Sequence, residues 1–236
     1  MKVETPKEAA ARLAAGALRD GYKPQALHVY ADAGGAPFYW RIRCKHPDTG
    51  DKWTRPMRWN GTSYAIGEPP APTEGKPLYR LPELLAADPD TLVLIVEGEW
   101  CADHLHKLGL IATTSGSAAS AHGADWTPLQ GRSCLLWPDR DAPGSKYADE
   151  VAASLRALGC IVGIIDVDAL DLPDKGDAVD WLAQYPDTTA ADVLAFPVST
   201  IERNRSAGTV IADLPHVILT RGSDVQPEAV DWLWDG

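Results

Sequence analysis

TLVLIVEGEW, residues 91–100, decides the fold. Val93 to Val96 are all apolar, so the segment has no polar face and predicts a strand covered on both sides; it stops on an acid and a glycine, Glu97-Gly98. SCLLWPDRD (133–141) has the same grammar and ends in Asp139-Arg140-Asp141, and CIVGIIDVD (160–168) repeats it. LIATTSG (110–116) supplies another apolar run. Between these runs the spacing predicts a helix over 100–108, a weakly helical stretch up to Gln130 and a helix over 145–158. Two more helices are expected over 178–184 and 189–194. Buried strands separated by helices predict an α/β domain on a parallel four-stranded sheet with flanking helices.

Moving outward, LYRLPELLAADP (78–89) predicts a short helix, and the Pro-rich GEPPAPTEGKP (67–77) marks a boundary near residue 75. Before it, residues 26–67 are rich in aromatic and β-branched residues broken by turn formers, which predicts an antiparallel meander. Alternation over 38–45 puts Phe38, Trp40, Ile42 and Cys44 on a core face and Tyr39, Arg41, Arg43 and Lys45 on a basic one. His46-Pro47-Asp48-Thr49-Gly50 turns the chain, and Asn60-Gly61 predicts a two-residue hairpin. Thr5-Pro6-Lys7-Glu8 reads as a capping box opening a first helix. Beyond residue 197 the rhythm is lost. The expected organisation is therefore 1–75, a small basic β-rich (α+β) subdomain; 76–197, the α/β domain; and 198–236, a linker or tail.

The 236-residue chain carries a net charge of −11, but the charge is divided. Residues 1–80 hold 13 Lys and Arg against 8 Asp and Glu, a balance of +5, while the rest holds 9 against 25, or −16. With a basic front and an acidic back, the net negative charge does not exclude a nucleic-acid protein, and acidic surfaces also serve solubility. No stretch reaches the apolar length of a membrane span and no secretory leader is evident, so a soluble cytoplasmic protein without membrane partners is expected. Cys44, Cys101, Cys134 and Cys160 are far apart with no CxxC pair, which argues for a reducing compartment and leads us to expect no zinc.

In open parallel sheets the ligand site lies beyond the carboxyl ends of the strands, where these acids stand. Gathered carboxylates repel one another and are tolerated chiefly around a hard divalent cation, which takes oxygen ligands and substrate phosphates. Each acid also has an ordinary alternative as a helix cap or turn former. Thr114-Ser115-Gly116-Ser117 offers either a backbone nest for phosphate or a plain small-residue turn. Lys146 and Lys175 beside the acidic loops either contact phosphate or screen carboxylates. Arg41, Arg43, Lys45, Lys52, Arg55 and Arg58, interleaved with Trp40, Trp53 and Trp59, suit phosphate neutralisation and base stacking, or form the polar face of a half-exposed sheet.

LIVEGEWCADHLHKLGLIATTSGSAAS (94–120), LLWPDRDAPGSKYADEVAASL (135–155) and KGDAVDWL (175–182) together resemble the Toprim domain of bacterial and phage primases, topoisomerases, small nucleases and recombination proteins, over roughly residues 90–186. The resemblance implies a Rossmann-like sheet with an Mg²⁺ or Mn²⁺ site. In it Glu97 acts as general acid or base and in some members touches the metal. Asp139 and Asp141 are the Asp-x-Asp ligands, and Asp177, with Asp180 as a possible helper, is the third acidic position. For that last position Asp166, Asp168, Asp171 and Asp174 compete. The basic subdomain ahead of the Toprim fold is similar in layout to phage primases, which implies single-stranded DNA template and nucleoside triphosphates as partners. Such primases usually begin with a zinc module that selects the start site; this chain has none, so template selection is relaxed or supplied elsewhere. VILTRGSDVQPEAVDWLWDG (217–236) resembles the segment leading into a helicase module of mobile-element primase-helicases, implying a helicase partner. No phosphate loop follows, so no ATPase activity is expected here. The implied activity is primer synthesis by metal-dependent nucleotidyl transfer; a Toprim nuclease and a non-catalytic DNA-binding or helicase-recruiting module remain the alternatives.

Overall fold

The computed structural model describes residues 4–202; the stretch resembling a helicase lead-in lies outside the described residues. The chain opens with α1 (Pro6–Leu13), capped by the expected box: Glu8 N–H donates to Thr5 Oγ1 at 3.3 Å and Thr5 N–H to the Glu8 carboxylate at 2.9 Å. A second short helix, α2 (Ala15–Arg19), leads to β1 (Lys23–Ala31), β2 (Pro37–Lys45), β3 (Lys52–Trp59) and β4 (Tyr64–Ile66). They form an antiparallel meander in chain order. The β3–β4 hairpin exists, but its loop has four residues rather than two. Asn60 Oδ1 accepts from the N–H groups of Thr62 and Ser63, so the asparagine side chain builds the turn.

α1 covers the face bearing Trp40, Ile42, Cys44 and Met57. The opposite face is not open. Tyr39 is buried there with Tyr30 stacked on it at 4.3 Å, and Phe38 packs into that same cluster instead of pointing with Trp40. The register shift between Tyr30 and Ala31, where β1 meets Pro37 and Tyr39, marks the irregular strand end at which alternation fails.

The second sheet follows α3 (Leu81–Ala86): β5 (Val93–Val96), α4 (Glu99–Lys107), β6 (Ile111–Thr113), β7 (Ser133–Trp137), α5 (Ala142–Ala157), β8 (Ile161–Ile165), α6 (Ala178–Gln184), α7 (Ala190–Leu194) and β9 (Val198–Glu202). Between β6 and β7 the weakly helical stretch resolves into two single 3₁₀ turns, Ala121–Gly123 and Thr127–Leu129. Strand order is β6-β5-β7-β8-β9, with β9 antiparallel on the edge. The sheet thus has five strands where four were expected. Val198–Glu202, read as the start of a tail, is a strand because it pairs with the free edge of β8; VSTIE has no apolar run to announce it.

Alternate residues of β5 and β7 feed opposite layers. Leu94, Val96, Leu135 and Trp137 pack with α4 and α7 residues, whereas Val93, Ile95, Cys134 and Leu136 pack with α3 and α5. Both sheets belong to one compact unit, Met1–Asn204. No helix among the described residues is long and apolar enough to cross a membrane.

Candidate functional site

The chain leaves β5 for β6 on one side and then crosses to β7 on the other, so a crevice opens beyond the carboxyl ends of β5 and β7. Val96 pairs with Trp137, which sets Glu97 and Asp139 side by side just past the last pairing. Asp177 is brought to the same place by backbone hydrogen bonds. Arg140 N–H donates to Gly176 O at 2.9 Å and Lys175 N–H to Arg140 O at 3.0 Å, tying the acidic loop after β7 to the loop before α6. Lys175 adopts a left-handed φ of 60° in making that bond. Gly144 permits the crowding on the other side: a Cβ there would lie 2.3 Å from Asp139 O and 2.6 Å from Glu97 Oε1.

Glu97, Asp139 and Asp177 line one cleft of about 380 Å³. Burial, then repulsion from Glu97, Asp177 and Asp141, pushes the Asp139 carboxyl up to about 8; Lys52 partly opposes this. Burial also raises Glu97, helped by Asp141 and Asp177 and opposed by a backbone hydrogen bond from Asp139. Glu97 Oε1 is buried without a hydrogen-bond partner. Three acids thus share a space with too little positive charge to balance them, which suits the oxygen-donor chemistry of a hard divalent cation. As placed, no group of three or more His, Cys, Asp or Glu among the described residues forms a ready-made metal site.

Asp141 acts on Glu97 and Asp139 through its charge but does not line the cleft. Its Oδ1 accepts from Gly144 N–H at 2.7 Å as the N-cap of α5, and it borders a neighbouring depression with Arg140, Asp168 and Asp174. Asp177 caps α6 while lining the cleft, and Asp180 closes that capping box. None of the competing acids lines the cleft, and three of them have partners elsewhere. Asp166 accepts from the amides of Asp168 and Ala169, Asp168 pairs with Arg140 at 3.1 Å, and Asp171 takes Gln184 and Tyr185.

The far wall of the cleft comes from the basic face of β2 and β3: Arg41, Arg43, Lys52, Thr54 and Pro56. Arg41 is largely consumed there. Its Nη1 donates to Glu99 Oε1 at 3.0 Å and to Gly116 O, and its Nη2 reaches Glu68 at 3.4 Å. The remaining sequence candidates are scattered. Lys45 is an exposed strand end, Arg55 turns to the other face over Trp53, and Arg58 donates to Glu68 O. Lys146 is 78% exposed beside Glu150, and Lys175 is held by its backbone. The Ser115-Gly116 turn is no open nest, because its amides are spent internally: Ser115 N–H on Tyr147 Oη, Gly116 N–H on Thr114 Oγ1 and Ser117 N–H on Ser120 Oγ.

Sequence reasoning missed Glu99 and Trp100. Glu99 is 4% exposed and accepts from Tyr30 Oη at 2.7 Å as well as from Arg41. One turn on, Asp103 accepts from Tyr79 Oη and Arg80 and lies 3.1 Å from His28 Nδ1, so α4 is locked to the meander by two polar clusters. The signal was present: Glu99 falls on the Ala102–Leu105 stripe that α4 buries, and a charge on a buried stripe demands a partner.

No protein-family model and no curated protein matches the chain. A solved structure of the Aquifex aeolicus primase, comprising its zinc-binding and RNA polymerase domains, is similar at 13% identity with a TM-score of 0.43, over 71% of this chain and 38% of that one.

Proposed function

We propose that this chain performs metal-dependent nucleotidyl transfer on nucleic acid, as the catalytic region of a DNA primase. The observation that carries the reading is Asp139, whose carboxyl is driven to about 8 by burial and by the acids around it, opposite a wall bearing Arg43 and Lys52. The Toprim resemblance of the acidic motifs supports it. Glu97, Asp139 and Asp177 would hold Mg²⁺ or Mn²⁺, which would supply charge neutralisation at phosphate and activation of the attacking hydroxyl. Binding the ion would draw the three carboxylates together. Asp141 serves them from behind, by fixing the start of α5. Glu97 would accept the proton of a 3′-hydroxyl, a role that its raised carboxyl and unpartnered oxygen support. Arg43 and Lys52 would hold phosphates of single-stranded template or of incoming nucleoside triphosphates.

The test supplies single-stranded DNA, nucleoside triphosphates and Mg²⁺. New oligomers that disappear in chelator and in Asp139→Asn are the expected result. Shortened strands instead would assign the cleft to a nuclease, and salt-sensitive binding without any metal-dependent product would leave a binding module.

A further inference from the structure

We propose that Trp100 is the platform on which a nucleobase stacks in this cleft, an inference that rests on the nucleic-acid reading of the site. The tryptophans that the sequence offered for this task are elsewhere: Trp40 and Trp53 pack in the α1 layer, and Trp59 is exposed beside Tyr64. Among the described residues Trp100 is the single aromatic side chain lining the cleft. It is half-buried yet joins none of the three apolar clusters, so its indole is not there to fill a core.

Its neighbours are polar and cationic. Trp100, His104 and Lys107 share one stripe of α4, at i, i+4 and i+7, separate from the buried stripe of Ala102 and Leu105. The His104 ring centroid is 4.7 Å from the indole, Lys107 Nζ is 6.0 Å from its centroid, and Arg43 Cζ reaches over it from β2 at 5.2 Å. An indole lining an acid-floored cleft, with the Arg43 guanidinium over it in the place a base would take and with cations at hand to meet flanking phosphates, is the equipment of sequence-tolerant base stacking. The base belongs either to a single strand or to a free nucleotide; the chemistry is the same.

The test measures binding by the full chain in Mg²⁺ of two matched pairs: labelled oligothymidylate against an abasic oligomer of equal length, and ATP against tripolyphosphate. Wild type should prefer the base-bearing member of at least one pair, and which pair shows the preference identifies the source of the base. Trp100→Ala should cut that preference about tenfold, Trp100→Phe should keep most of it, and Trp59→Ala should leave it intact. Preference unchanged in Trp100→Ala, or lost equally in Trp100→Phe, would overturn the platform while metal-dependent synthesis upheld the function. A wild type that binds none of the four probes and makes no product would remove both.

Discussion

The two walls of the cleft spend their charges differently. On the meander wall the Arg41 guanidinium is paired through both terminal nitrogens, with Glu99, Glu68 and the Gly116 carbonyl, its Nε alone lacking a partner, and so fastens one sheet to the other. On the parallel-sheet wall Glu97 and Asp139 face each other with little compensation, and the mismatch is stored in raised carboxyl affinities for protons. Buried charge that is fully paired holds structure together; buried charge left unpaired is tolerated where a ligand will complete it.

The contrast can be broken most severely at its floor. Asp139→Asn is expected to lower primer synthesis by more than about a thousandfold, on the scale seen when reaction-specific charge is removed, measured by extension on single-stranded templates. Next comes the meander wall. Glu99→Gln leaves the buried Arg41 charge with only the more distant Glu68, at 3.4 Å, to balance it and should cost up to about 3 kcal/mol in urea unfolding, the scale of breaking a buried pair. An unfolding midpoint equal to wild type would show that the interlock contributes nothing.

The same asymmetry sets a pH dependence of smaller size. Asp139 holds its proton more tightly when folded, near 8, than its ordinary 3.8, so its contribution is fully present below about pH 4 and is lost as pH rises through about 8. In chelator, wild-type stability should therefore decline across that window and recover on adding Mg²⁺, whereas Asp139→Asn should be more stable than wild type at pH 8 and indifferent to the ion. Thermal melts with and without Mg²⁺ read both. The smallest effect separates two lysines that the sequence treats alike. Lys52→Ala, in the cleft, should weaken oligonucleotide binding a few-fold with a shallower salt dependence, while Lys146→Ala, exposed beside Glu150, should change neither.

Much of this was legible in the chain. Apolar runs without a polar face announced β5, β7 and β8, the capping box announced α1, and an acid directly after a strand is carried to a sheet edge wherever that strand lies. β9 was not legible, because an edge strand of mixed polarity exists only through the partner that accepts it. Nor was the burial of the basic face: alternation puts Arg41 and Arg43 on one side of β2, but nothing local says that another sheet will be laid across that side.

The sequence alone determined which residues share a face of their own element and which acids sit at strand ends, since those follow from a period of two or 3.6 residues and the chain's local chemistry. Only the tertiary structure decided that Asp177 rather than Asp166, Asp168, Asp171 or Asp174 joins Glu97 and Asp139, that Asp141 turns to cap a helix, and that Trp100 supplies the aromatic wall. Those choices depend on backbone bonds between distant loops, such as Arg140 to Gly176, and on which face meets which; periodicity within one element carries no information about either.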